Sequence, residues 1–64
     1  MVATAPLEEV VGAAREFVRA LEQARAANRL AQAFPKDVIL AERQRLDDLA
    51  AEKYAALKRA LGES

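Results

Sequence analysis

The chain has 64 residues, and its ten basic and ten acidic side chains cancel, so no net field draws it to nucleic acid or to anionic lipid. Cysteine and histidine are both absent, which removes disulfide staples, the common zinc ligands and the usual thiol or imidazole catalysts. A chain this short buries a smaller share of its surface than a typical domain, and with staples and metal gone, oligomerisation is the remaining route to stability.

The opening "MVATAP" has no basic segment followed by an apolar run. No later stretch approaches the ~20 apolar residues of a membrane span. A cytoplasmic protein with no membrane association is expected.

The first predicted helix starts near residue 6. Pro6 fits a first turn, where its missing N–H would be unpaired in any case, and Glu8 and Glu9 sit well beside the positive helix end. Apolar residues then recur at spacings of three and four: Leu7, Val10, Ala14, Phe17, Leu21, Ala24, Asn28 and Ala31, with Val11 and Val18 widening one side. This seam is bulky as far as Leu21 and narrows to alanines and one asparagine, with Arg25 at its edge. Asn28 at a seam position is the kind of polar residue that fixes register between helices.

The stretch "QAFPKDVI" interrupts the helix-forming run. Phe34 precedes a proline and is biased out of the helical region, so the first helix is expected to cover about 6–33. Asp37 is a good N-cap for a second helix, with Pro35 at the first helical position as the alternative. The turn spans about 34–37 and the second helix about 38–61. Its stripe is Ile39, Leu46, Leu49, Ala50, Leu57, Ala60 and Leu61, flanked by Leu40 and Tyr54 and interrupted by Glu42 and Arg43. Lys58 and Arg59 suit the last turn, and Gly62 the position just past it.

Two helices of matched length and a short connection predict a single all-α domain, an antiparallel hairpin. One seam leaves Leu7, Val11, Val18, Phe34, Leu40 and Tyr54 partly wet, so a homodimer forming a four-helix bundle is expected. The interface residues are drawn from Leu7, Val10, Val11, Ala14, Phe17, Val18, Leu21, Ala24, Asn28, Ile39, Leu46, Leu49, Leu57 and Leu61.

Arg15, Arg19, Arg25 and Arg29 fall within an arc of about 120° on the first helix. They form a possible phosphate rail, but Glu8 and Glu22 share the arc and no aromatic is interleaved, so nucleic acid is the lesser expectation. The pairs Asp47–Asp48 and Glu8–Glu9 diverge by about 100° on a helix and do not converge on a substrate. No cofactor, metal or enzymatic activity is expected.

In "RQRLDDL", Gln44, Leu46 and Asp47 resemble the Ser-Gln-Glu-Leu-Asp signature of the small sporulation aspartyl-phosphate phosphatases, with Arg43 where that family has serine. The resemblance implies a phosphosignalling regulator that contacts a response regulator through Asp47. The hairpin plan is also similar to the plasmid copy-number RNA-binding dimer, which implies RNA contact through the arginine face. From the residues themselves, the leading expectation is a self-associating regulatory or adaptor protein that binds other proteins.

Overall fold

A computed structural model describes residues 7–62. Two helices, α1 (Leu7–Ala33) and α2 (Asp37–Ala60), pack against each other. Pro6, the expected first-turn proline, lies outside the described residues. The described chain is one layer thick, with Cα extents of 18 and 12 Å across its long axis.

The break is tight. Phe34 N–H still donates to Leu30 O at 2.8 Å, completing the last bond of α1, and Lys36 N–H donates to Phe34 O at 2.7 Å across Pro35. This is a three-residue turn, whose central φ of about −75° lies close to the value that a proline ring imposes. Lys36, extended at φ −98° and ψ 151°, is then the N-cap, and its carbonyl accepts from Leu40 N–H at 2.8 Å.

Asp37 is thus the first helical residue rather than the expected N-cap. The compact turn brings the chain back to helical geometry one residue sooner than a longer loop would. No side-chain bond caps α2, but the Asp37 carboxylate still lies in the positive field of the helix N-terminus. At the other end Gly62 takes φ 85°, a conformation that penalises any Cβ, and its N–H donates to Arg59 O at 3.0 Å.

Three contacts show the antiparallel register. Lys53 Nζ donates to Glu16 Oε1 at 2.8 Å, the Phe17 and Tyr54 rings lie 5.4 Å apart, and Ala20 and Ala24 cluster with Ala50, Leu46 and Leu49. Residue numbers that stand level across the hairpin add to about 70.

Among the described residues the buried side chains are all alanine: Ala20, Ala24, Ala27 and Ala31 on α1, and Ala50 on α2. Half-buried Val10, Ala13 and Phe17 continue the α1 line at spacings of three and four. Facing it, Ile39, Arg43, Leu46, Ala50, Lys53, Leu57 and Ala60 repeat at the same spacing and are buried or half-buried. The alkyl stems of Arg43 and Lys53 cover the seam while their charged ends reach water. Glu42, the other interruption of the stripe, is held by Arg45 one turn on, at 2.6 Å.

The seam therefore differs from the expected one. Val10, Phe17, Ala24 and Ala31 belong to both, but Ala13, Ala20 and Ala27 take the places expected for Ala14, Leu21 and Asn28. Ala14 and Leu21 lie half-buried at the margin, and Asn28 is exposed. Leu7 and Leu61, at 77% and 56% exposure, lie outside the seam altogether. Methyl-sized side chains let the backbones approach, whereas Asn28 turned inward would lose water from an amide with no partner.

Two predictions follow from this seam. Ala24→Leu should cost ~1–3 kcal/mol by wedging the helices apart, while Asn28→Ala should stay within ~0.5 kcal/mol, both read from chemical denaturation. The hydrogen bond from Lys53, and then its charge, hold the Glu16 carboxyl below its usual range, and the same contact raises Lys53. The Glu16 contribution is present above the ordinary carboxylate pKa and disappears as pH falls through the lowered value. The Lys53 contribution is present below the ordinary ammonium pKa and disappears as pH rises through the raised one. Glu16→Gln should flatten part of the acid-side fall in melting temperature and leave the melt near neutral pH almost unchanged.

Candidate functional site

An alanine seam goes with several large apolar side chains on the surface. Leu7, Val11, Val18, Leu30, Phe34, Val38, Tyr54 and Leu61 are all exposed, from 38% at Val11 to 80% at Val38. Their arrangement decides what the surface can do.

One side of the hairpin is identified by two shallow grooves that cross between the helices. The first runs between Glu16, Arg19, Ala20, Gln23, Leu49 and Lys53, and the second between Gln23, Ala26, Ala27, Leu30, Glu42, Arg45 and Leu46. Leu30, Phe34 and Val38 belong to this side, at its turn end: the first two are one helical turn apart, and Val38 opens α2 beside them. Phe34 was expected at a flank. Leu30 and Val38 were not, although the i, i+4 spacing of Leu30 and Phe34 signals a shared face.

The opposite side carries the second apolar line of α1. Leu7, Val11, Ala14, Val18 and Leu21 recur at spacings of four and three, about 100° round the helix from the seam. A shallow groove between Val11, Ala14, Arg15, Val18, Arg19 and Glu22 follows this line on α1. Across the seam, α2 contributes Tyr54 and Leu61 at the same end, with exposed Ala51 and Ala55 between and beyond them. Phe17 braces the Tyr54 ring at an interplanar angle of 47°, and Lys58 Nζ sits 5.5 Å above that ring. The Tyr54 ring is thus held in place at the end of the hairpin away from the turn.

Of the residues named from the sequence as interface candidates, Leu7, Val11, Ala14, Val18, Leu21 and Leu61 share this second face or its edge. Val10, Phe17, Ala24, Ile39, Leu46 and Leu57 serve the seam, Leu49 packs beside the core from the opposite side, and Asn28 is open to solvent.

Arg15, Arg19, Arg25 and Arg29 are all exposed along the outer side of α1. Asp47 and Asp48 are exposed on α2, and Asp48 accepts a hydrogen bond from Gln44 at 2.9 Å. Among the described residues no three carboxylates gather into a metal-binding group, no helix is long and apolar enough to cross a membrane, and no buried side-chain polar atom lacks a partner. The surface chemistry on offer is apolar contact with charged edges.

No family model, characterised protein or solved structure matches the chain. Tyr54 is the anchor of the exposed face on α2. Tyr54→Ala should cost ~1–2 kcal/mol through the lost ring pair and cation contact, and Tyr54→Phe, which keeps the ring, should preserve most of that in a thermal melt.

Proposed function

We propose that this chain is a non-enzymatic protein-interaction module that works as a self-associated pair of hairpins, a four-helix bundle, in a regulatory or adaptor role. One observation carries the proposal: among the described residues nothing larger than alanine is buried, while Leu7, Val18, Tyr54 and Leu61, each at least half exposed, gather on one face. A buried methyl contributes only about 0.8 kcal/mol, so the seam has little to set against the ordering of two long helices. A contiguous apolar face on a small protein is a recognition surface. Covering it with a second copy buries the leucines and valines that the first copy leaves wet.

The exposed Arg15, Arg19, Arg25 and Arg29 support a second reading, RNA contact along α1. The zero net charge and the absence of aromatic residues among these arginines weigh against it.

Sedimentation equilibrium at micromolar concentration is the test, and twice the 7.0 kDa chain mass is the expected result. A stably folded particle of single-chain mass overturns the pairing. Val18→Glu, which sets a charge in the centre of the face, should shift the protein toward monomer while the hairpin's helical circular dichroism persists at high protein concentration. Filter binding of a mixed-sequence RNA that falls steeply with added salt would favour the arginine reading instead.

A further inference from the structure

We infer that the second copy seats crosswise, α1 of each chain on α2 of the other, about a twofold axis parallel to the helices, with Arg25 of one chain paired to the partner's Asp47. This deepens the self-association proposed above and rests on it.

Two twofold arrangements bring the Val18 faces of two hairpins together. An axis perpendicular to the helices lays α1 on α1 and α2 on α2. An axis along the helices lays α1 on the partner's α2, and it leaves no freedom of register, because rotation about an axis moves nothing along it. Each residue of α1 then meets, in the partner, the residues level with it in its own chain, those whose numbers add to about 70.

That inherited register can be checked against both shape and charge. Val18 and Leu21 fall opposite the partner's Ala51, and Ala14 opposite the partner's Ala55. Ala51 and Ala55 are exposed small residues on either side of the Tyr54 ring in sequence, and they receive these side chains. One turn beyond Leu21, Arg25 falls opposite the partner's Asp47. Both are exposed, and neither makes an ion pair within the hairpin among the described residues. By symmetry the bundle holds this contact twice.

The perpendicular axis fits less well: it lays α1 on α1 and α2 on α2 and so separates Arg25 from the partner's Asp47, whereas the crosswise seating sets these two opposite charges level with each other.

Charge reversal and cross-linking test this directly, since all the altered residues lie off the seam. Arg25→Asp and Asp47→Arg should each raise the dimer dissociation constant about tenfold at low salt, and the double reversal should restore it to within about threefold. Unchanged helical circular dichroism identifies a loss of affinity as a loss of contact rather than of fold. A mixture of Ala14→Cys chains and Ala55→Cys chains should oxidise mainly to the mixed disulfide. A dimer in which Ala14→Cys chains link to one another, or which ignores both charge reversals, overturns the crosswise seating and leaves self-association standing. A wild-type chain that sediments as a folded monomer overturns both.

Discussion

The closest approach of α1 to α2 is made through methyl groups, and the rest of the molecule follows from that contact. Ala20, Ala24, Ala27 and Ala31 form the buried edge of α1 and meet Ala50 on α2. Interaxial distance depends on the side chains at the contact and approaches the ~8 Å end of its range when these are small. The larger seam residues Phe17, Ile39, Leu46 and Leu57 are only half-buried, and Leu46 and Leu49 pack against the alanine cluster.

The exposed apolar side chains are not spread evenly. Leu7, Val11, Val18, Tyr54 and Leu61 collect at the terminal end of one side, while Leu30, Phe34 and Val38 collect at the turn end of the other. The turn contributes to the second group, because bending over only Phe34, Pro35 and Lys36 leaves the Phe34 ring and the first turn of α2 outside the seam. Charged residues complete the pattern. Lys53 and Arg43 lie over the seam by their alkyl stems, and Glu16 draws the Lys53 ammonium group to the surface. The hairpin is held by small contacts along its middle and offers its larger apolar area outward.

Such a distribution is what the proposed recognition role draws on. The exposed groups are side chains of helices, projecting at fixed intervals, and the grooves between them are shallow. In the proposed pairing, the apolar line of α1 supplies bulk, and Arg25 with the partner's Asp47 supplies the charges that select a register.

Much of this was legible from the residues. The two helices, the break at Phe34 and Pro35 and the glycine past the last turn follow from local backbone chemistry, because proline and glycine act within one or two residues of themselves. The spacing of three and four also showed that each helix has a seam. It did not show which of two seams on α1 is used, because Val10, Phe17, Ala24 and Ala31 fit both. Reading by hydrophobicity selects the line through Leu21 and so brings Asn28 inward. The hairpin uses the line through Ala13, Ala20 and Ala27, because the fit of one helix to another rewards the shortest backbone separation, a property of the pair that neither helix carries alone. The same rotation turned Ala14 and Leu21 from expected core toward the outer face where Val18 was expected, so the position of the candidate site was decided by the tertiary contact and not by the pattern of either segment.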